Sequence, residues 1–247
     1  MRFRPLLLPA LAALVLAGCN KADSGSSAAA PANGEPVAAV APPAGKAWAD
    51  VLAASPEGGV VMGNPKAPIK LVEYGSLSCP HCAKLAQDGA AALTEKYVNT
   101  GKVSWEFRSF AIHPQDVPLT VLARCGGNET FFPLVEQVYA NFDALSESTQ
   151  KGAAKLGNMA SVPPAERFTT MADALGFTDF FAARGISRDQ AKACLTNAAA
   201  AEKVAAESDA ASKAGIDSTP TLLINGGKVS GNTWAELEPA LQKAGAR

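Results

Sequence analysis

Apolar residues along this chain fall into two patterns, short runs typical of buried strands and longer stretches with helical spacing. Residues 69–74 form an apolar, partly β-branched run that predicts a buried strand, and residues 83–98 then follow a helical period. Residues 103–110 alternate in the manner of a second strand. A short helix is predicted over 47–54 and a strand over 60–62, ahead of the central strand.

Between residue 117 and about residue 214 the pattern is helical, and strand signals are almost absent. The predicted helices cover residues 119–125, 131–142, 168–175, 177–183 and 187–206. Gly126-Gly127, Pro163-Pro164 and Gly185 separate them. Phe and Leu residues at helical intervals are more typical of a core than of a ligand site. We therefore predict a helical insertion at about 117–198.

The end of the chain predicts a hairpin and a last helix. Residues 222–224 form a short apolar strand, and Asn225-Gly226 is a strong signal for a two-residue hairpin turn before a second short strand. The last helix is predicted over 233–244, with its first residue as N-cap and Glu236 completing a capping box. Pro239 should bend or shorten this helix.

The first residues have the pattern of an export signal. Arg2 and Arg4 precede an apolar segment over 5–17, which is shorter than the roughly 20 residues of a membrane-spanning helix. Leu16-Ala17-Gly18-Cys19 resembles the lipobox of bacterial lipoproteins, in which cleavage precedes the cysteine and that residue carries the lipid. We predict a lipoprotein-type signal peptide over 1–18 and a lipidated Cys19; the alternatives are a plain signal peptide cut elsewhere and a chance cysteine.

Composition separates a linker from a folded domain. Residues 19–46 are rich in Ala, Pro, Gly and Ser and have no sustained apolar period, so we predict a tether, with a disordered tail without a role as the alternative. The rest, 47–247, is predicted to be one globular domain. Over the whole chain, 48% of the residues are hydrophobic, which is ample for a sizeable core. A net charge of −1 without a basic stripe argues against a nucleic-acid partner.

The candidate chemistry lies where the central strand meets the following helix. Cys79-Pro80-His81-Cys82 places two thiols one helical turn apart, where they can close a reversible disulfide. Pro80 fits the first turn because it has no N–H group, and the helix N-terminus favours a thiolate at Cys79. Half of a zinc site and a purely structural disulfide are the alternatives; no second such motif supplies the about four ligands that zinc needs, so no metal is predicted.

The remaining cysteines suggest a second bond. Of the five cysteines, a lipidated Cys19 and a redox pair would leave Cys125 and Cys194. In an oxidising compartment these two are predicted to pair with each other inside the insertion. Two unpaired buried cysteines are the alternative.

Taken together, these residues resemble the thioredoxin superfamily and, within it, the DsbA-like disulfide oxidoreductases of the bacterial cell envelope. The resemblance rests on Glu73-Tyr74 before the CPHC motif, on Thr219-Pro220, and on the position of the insertion. It implies an α/β, thioredoxin-like fold with a helical insertion and a cis peptide bond before Pro220. The threonine before this proline, where DsbA has valine, leaves oxidase and isomerase or reductase roles harder to separate.

The resemblance also implies a role for each site residue. Cys79 would be the exposed nucleophile, Cys82 the buried resolving thiol, and His81 a source of positive charge or a hydrogen bond for the Cys79 thiolate, with an exposed spacer as the alternative. Glu73 would relay the proton of Cys82, although a simple strand-end carboxylate is a second interpretation. Thr219 and Pro220 would bind an extended substrate by backbone pairing.

We therefore expect a periplasmic enzyme, tethered to a membrane as a lipoprotein, that introduces disulfides into exported proteins. A disulfide reductase or isomerase is the runner-up, and a non-catalytic copper-binding or client-binding protein is the alternative of another class. No cofactor is expected. The expected partners are reduced exported proteins and a membrane redox partner of the DsbB type. We expect a monomer, because dimeric isomerases of the superfamily carry a dimerisation domain where this chain has only the tether.

Overall fold

A computed structural model describes residues 33–247, in which a single mixed sheet forms the centre of the domain. Its six strands within that range are β1 (Leu52–Ala54), β2 (Val60–Gly63), β3 (Ile69–Gly75), β4 (Val103–Ser109), β5 (Thr221–Ile224) and β6 (Gly227–Lys228). They lie in the order β1-β2-β4-β3-β5-β6, with β3 and β4 parallel and the other pairs antiparallel. This is the predicted thioredoxin-like α/β architecture.

The helices account for most of the rest of the domain. They are α1 (Pro80–Leu93), α2 (Asp116–Arg124), α3 (Asn128–Ala140), α4 (Phe142–Ala153), α5 (Arg167–Ala174), α6 (Phe177–Ala182), α7 (Arg188–Leu195), α8 (Ala198–Lys213) and α9 (Trp234–Leu241). The insertion comprises α2 to α7 and has the predicted position. Phe131, Phe132, Phe177 and Phe181 are at most 1% exposed, so its aromatic residues form core, as expected.

Two details of the insertion differ from the sequence prediction. The helix predicted over 187–206 is two helices, because Asn197 accepts a hydrogen bond from the Ala199 N–H group and begins α8 there. Helix α4 was not predicted, since its sequence is largely polar and only Leu145 and Gly152 within it are buried. Its helical period is therefore too weak to detect.

The helix predicted over 47–54 is wrong. A single 3₁₀ turn, Trp48–Asp50, leads into β1, in which Leu52 pairs with Met62 of β2. Pairing with the sheet edge overrides the weak helical preference of this Ala-containing stretch, as tertiary contacts often do.

The predicted tether over 19–46 also needs a correction, because its second part contacts the domain. The N–H groups of Gly34 and Val37 donate to carbonyls of the last residues, at 2.8 Å each, and the Val40 N–H donates to the Thr100 carbonyl at 2.9 Å. Trp48 Nε1 donates to the Val40 carbonyl at 2.7 Å. The predicted signal peptide, Cys19 and the first part of the predicted tether lie outside the described residues.

These contacts lie at the end of the sheet opposite the CPHC motif. Ile69, the first residue of β3, donates to the Lys102 carbonyl, and Lys102 Nζ in turn donates to the carbonyl of Arg247. Cys79 follows the other end of β3. The two ends of the described chain therefore meet at the pole distant from the candidate site.

The last part of the chain agrees with its prediction. Asn225 and Gly226 have φ values of 50° and 82°, which form the two-residue turn between β5 and β6. Thr233 and Glu236 form the expected capping box of α9, which ends at Leu241, two residues after Pro239, and continues as a wider turn over Gln242–Ala246. Between residues 33 and 247, no helix combines the length and the apolar character needed to span a membrane.

Candidate active site

The parallel strands and a short turn place the dithiol at the start of α1. After β3 ends at Gly75, residues 76–78 turn the chain, and the Cys79 N–H donates to the Ser76 carbonyl at 3.2 Å. Cys79 is the N-cap of α1, and Pro80 occupies the first helical position, where its missing N–H group costs no hydrogen bond. Both Cys79 and Cys82 are free thiols here.

The loop before β5 covers the first sulfur. The Thr219-Pro220 peptide bond is cis, as the resemblance implied, and Cys79 Sγ donates to the Thr219 carbonyl at 3.4 Å. Cys79 is only 3% exposed, so the expectation of an exposed nucleophile is wrong for this residue. The cause is that loop, which lies directly against the sulfur. Cys82 is fully buried, as predicted.

The environment drives the pKa values of the two thiols in opposite directions. A hydrogen bond from the Cys82 thiol, with smaller contributions from the Thr219 side chain and from backbone N–H groups, lowers the pKa of Cys79 to about 5, although burial opposes this. Burial raises the pKa of Cys82 well above its ordinary value, and its bond to Cys79 and the nearby Glu73 act in the same direction. Cys79 is therefore the thiolate of the pair.

Two neighbours of Cys79 act differently from the sequence prediction. Residue 81 lowers the Cys79 pKa through its backbone N–H group, whereas the His81 imidazole is exposed to solvent. The Thr219 hydroxyl, by contrast, is buried and has no hydrogen-bond partner within the usual distance, so its proton is available to the thiolate. The thiolate is therefore stabilised first by the Cys82 thiol and then by the Thr219 hydroxyl and the backbone N–H groups at the start of α1.

Glu73 lies beneath the pair, as the resemblance implied. It is 4% exposed, and Trp105 Nε1 donates to its Oε2 at 3.2 Å. Burial raises the pKa of Glu73 to about 7, and the negative charge of Cys79 adds to this, while the Trp105 hydrogen bond opposes it. A carboxyl group with this pKa exchanges protons near neutral pH.

Sequence reasoning missed three residues around the dithiol. Besides Trp105, Tyr139 is buried and its hydroxyl donates to the Ser76 carbonyl at 3.1 Å, and Asp116 is buried beside the turn before Cys79. They lie about 25 to 60 positions from the CPHC motif, on β4, α3 and α2. Only the fold brings them to the site, and no local sequence signal indicates their roles.

The second cysteine pair forms the predicted disulfide. Cys125, at the end of α2, is bonded to Cys194 in α7; their Cα atoms are 6.0 Å apart, and the two residues are 69 positions apart in sequence. The bond therefore lies inside the helical insertion.

For metals, the described chain contains no group of three or more His, Cys, Asp or Glu side chains arranged to hold an ion.

The sequence profile of the thioredoxin family matches residues 55–243. The chain belongs to this family. The match begins after β1 and ends beyond α9, so it includes the dithiol, the loop before β5 and the whole insertion. Thioredoxin-family membership agrees with the sheet order and with the position of the cis-proline described above.

Solved structures of thioredoxin-fold proteins resemble the domain over most of its length. A protein-disulfide isomerase from Novosphingobium aromaticivorans is 30% identical, with a TM-score of 0.68 over 74% of this chain and 94% of that one. Wolbachia pipientis alpha-DsbA1 is 23% identical, with a TM-score of 0.59 over 74% of this chain and 89% of that one, which shows the same DsbA-like fold.

Relatives known from sequence carry names of the same kind. A Rickettsia felis protein named as a protein-disulfide oxidoreductase is 33% identical over 110 residues, which are 43% of this chain and 40% of that protein. A Rickettsia typhi protein of the same name is 27% identical over 75% of this chain and 61% of that one. This thioredoxin-family chain thus spans less than two thirds of the length of these curated relatives.

Proposed function

We propose that this chain is a thiol:disulfide oxidoreductase that introduces disulfides into exported proteins. The observation that carries the proposal is the separation of the two pKa values, with that of Cys79 lowered to about 5 and that of Cys82 raised well above its ordinary value. Stabilising the Cys79 thiolate stabilises the reduced enzyme relative to its disulfide, which makes the disulfide a strong oxidant. The names of the relatives support the same reaction class.

The reaction follows from the positions of the two sulfurs. A substrate thiolate attacks Cys79 Sγ in the oxidised enzyme, the Cys79–Cys82 bond breaks, and Cys82 leaves with the electron pair and takes up a proton. Glu73, with its pKa of about 7, is the nearby acid that supplies this proton. A second substrate thiolate then attacks the substrate sulfur of the mixed disulfide, and Cys79 leaves as a stable thiolate. The substrate is oxidised by two electrons, and the enzyme becomes the dithiol.

The loop before β5 is the proposed binding element for the substrate chain. The backbone of Thr219 lies against Cys79 Sγ, so an extended polypeptide bonded to that sulfur lies within reach of the Thr219 backbone groups. Strand addition of this kind recognises the main chain and accepts many sequences. That tolerance suits an enzyme whose substrates share only a pair of cysteines.

We also propose that the enzyme is exported and held at a membrane through Cys19. The support is the N-terminal sequence pattern, together with the Cys125–Cys194 disulfide, which is typical of an oxidising compartment. A periplasmic location would give access to exported proteins and to a membrane redox partner of the DsbB type. Mass spectrometry of the mature N-terminus tests the anchor: a chain that begins at an acylated Cys19 supports it, and an unmodified or differently cleaved N-terminus contradicts it.

A disulfide reductase or isomerase is the second candidate, because the Novosphingobium aromaticivorans structure carries the name of an isomerase. Either activity would work from the dithiol, which a low Cys79 pKa leaves weakly reducing. The proposed monomer also favours the oxidase. Light scattering at micromolar concentration tests the monomer, and a stable dimer would favour the isomerase.

One experiment separates these candidates. The enzyme is equilibrated with glutathione buffers to obtain its reduction potential, and the oxidised enzyme is then mixed with reduced, denatured RNase while activity is followed. We expect a potential more oxidising than that of the glutathione pool and rapid regain of RNase activity, with Cys79→Ser as the inactive control. A strongly reducing potential with efficient reduction of insulin would identify a reductase, and absence of turnover would identify a binding protein.

A further inference from the structure

The buried carboxylate of Asp116 accepts hydrogen bonds from two loops that meet beside the dithiol. Asp116, the first residue of α2, is 1% exposed. Its Oδ1 accepts hydrogen bonds from Ser76 Oγ at 2.9 Å and from the Ser78 N–H at 3.0 Å. Its Oδ2 accepts from the N–H groups of Ile112 and His113 at 2.9 Å each. One side chain therefore joins the turn before Cys79 to the loop after β4.

The turn that Asp116 holds is the support of the nucleophile. The Ser76 carbonyl accepts the N–H of Cys79 on one side and the hydroxyl of Tyr139 on the other. Ser78, which directly precedes Cys79, also contacts His113 Nδ1 through its hydroxyl, at 2.8 Å. The backbone of this three-residue turn is thus fixed at several atoms, and Asp116 provides the bonds on the side of α2.

We infer that Asp116 is a positioning residue for Cys79: by accepting bonds from Ser76 and Ser78, it fixes the turn that aims the first N–H groups of α1 at the sulfur. The inference rests on the proposed function only for the role of Cys79 as nucleophile. It assigns to Asp116 an effect on the reactivity of a residue that it does not itself contact. A negative charge is buried here because its four donors satisfy it, not because it takes part in the chemistry.

Two possible roles of Asp116, as a nearby negative charge and as a support of the turn, predict opposite changes of the Cys79 pKa when the residue is replaced. A carboxylate acting only as a nearby negative charge would disfavour the thiolate, so removing that charge would lower the Cys79 pKa. A carboxylate that positions the turn would favour the thiolate through correctly aimed N–H groups, so disrupting its hydrogen bonds would raise the Cys79 pKa. The sign of the change therefore distinguishes the two roles.

Asp116→Asn is the sharpest variant, because the amide is almost the same size but has only one acceptor oxygen. If that oxygen stays with the N–H groups of Ile112 and His113, the amide nitrogen faces Ser76 and Ser78. The Ser76 hydroxyl, 3.0 Å from the remaining oxygen, can still donate to it, but the Ser78 N–H loses its 3.0 Å bond to the carboxylate and keeps only the longer bond to Ser76 Oγ, at 3.2 Å. The loss therefore falls on the turn before Cys79.

The experiment measures thiolate absorbance against pH, and alkylation of Cys79 at pH 5, in the reduced full-length protein. For Asp116→Asn we expect a higher Cys79 pKa and alkylation slower by roughly tenfold, because fewer molecules carry the thiolate. Asp143→Asn is the matched control, since Asp143 is an exposed carboxylate in the first turn of α4 and should leave both values unchanged. Neither readout involves a protein substrate, so failure of the proposed oxidase function would leave this test intact.

Two results would overturn the inference. A lower Cys79 pKa in Asp116→Asn would mean that the residue acts as a repelling charge. An unchanged Cys79 pKa and alkylation rate, with only a loss of stability, would mean that Asp116 merely supports the fold. Should Asp116→Asn not fold, Ser76→Ala removes one of the donors and keeps the carboxylate; a smaller rise of the Cys79 pKa supports the inference, and no change contradicts it.

Discussion

The two cysteine pairs of this domain show how the same side chain serves chemistry in one place and stability in another. Cys79 and Cys82 lie one helical turn apart at the start of α1, whereas Cys125 and Cys194 are 69 positions apart and join two helices of the insertion. The first pair is surrounded by a buried carboxyl group, a carbonyl and a helix N-terminus. The second is surrounded mainly by the packed helices that it connects.

The environment of each cysteine pair, more than the disulfide bond itself, decides its role. Around the first pair, hydrogen bonds and burial separate the pKa values of the two sulfurs, so that one is a good leaving group and the other is not. The second pair is closed as a disulfide between α2 and α7, and its main effect is to restrict the unfolded chain.

The largest expected effects come from substitutions in the two cysteine pairs, which should separate the catalytic role of the first pair from the stabilising role of the second. Cys79→Ser removes the sulfur that the substrate thiolate attacks in the proposed reaction, so we expect oxidation of reduced RNase to fall to the uncatalysed rate. The double variant Cys125→Ser/Cys194→Ser should keep most of the activity. Loss of activity in the double variant, when it is folded, would show that the second disulfide also takes part in the reaction.

The same double variant should be clearly less stable. Closing a loop of 69 residues stabilises a protein by about 4 kcal/mol in loop-entropy estimates, before any native strain is subtracted. We expect the free energy of unfolding, measured by urea titration with the CPHC pair oxidised, to fall by about 2 to 4 kcal/mol. A fall well below 1 kcal/mol would mean that the packed helices already restrict this part of the unfolded chain.

Glu73 should give the oxidised protein a distinctive pH dependence. In the reduced form seen in the structure, burial and the Cys79 charge raise the pKa of Glu73 from the ordinary value of 4.5 to about 7. The disulfide form lacks the Cys79 charge, but burial, the largest cause, still raises the Glu73 pKa, so above pH 4.5 the native state keeps a proton that the unfolded state has released. The free energy of unfolding of the oxidised protein should therefore fall as the pH rises above about 4.5, by at most about 3 kcal/mol at pH 7.

Glu73→Gln should remove most of that slope. Glu129→Gln, at an exposed position in the first turn of α3, is the matched control and should retain it.

In the reduced protein the lowered pKa of Cys79 acts with the opposite sign, adding stability as the pH rises from about 5 to 9, so the two slopes should largely cancel below pH 7. Urea titrations of both redox forms across this range check the sign, and identical slopes in the two forms would contradict it.

The smallest expected effect tests which neighbouring group lowers the Cys79 pKa most. Its largest cause is the hydrogen bond from Cys82, and the His81 imidazole is exposed, so Cys82→Ala should raise the Cys79 pKa more than His81→Ala. Thiolate absorbance against pH measures both. The reverse order would restore the imidazole as the main source of stabilisation, as the sequence alone suggested.

The sequence was most informative where chemistry or turn geometry is local. The CPHC motif, the Asn225-Gly226 turn and the capping box of α9 follow from neighbouring residues, and the structure has all three. The α2–α7 disulfide was predicted by counting cysteines, because an even number was left once Cys19 and the redox pair were assigned. In each case a few residues in sequence carry the whole signal.

The other features of the fold and of the site depend on contacts between residues that are distant in sequence. The burial of Cys79 comes from a loop 140 positions away, and the Trp105 bond to Glu73 comes from the neighbouring strand. Residues 34–40 have the composition of a linker, yet their backbone groups find partners in the last turn of the chain and near Thr100. Backbone hydrogen bonds of this kind leave no trace in composition, so the sequence could not show that residues 34–40 contact the domain.

The meeting of the two chain ends at the pole distant from Cys79 has a practical consequence for protein engineering. Arg247 Nη2 donates to the Gly34 carbonyl at 3.1 Å, so a short peptide could join the ends of the folded part. Such a linked chain could be opened elsewhere as a circular permutant, for example at an exposed loop of the insertion. A bead or electrode attached at Arg247 would also leave the CPHC end of the sheet on the side away from the support, where substrates and redox mediators can approach it.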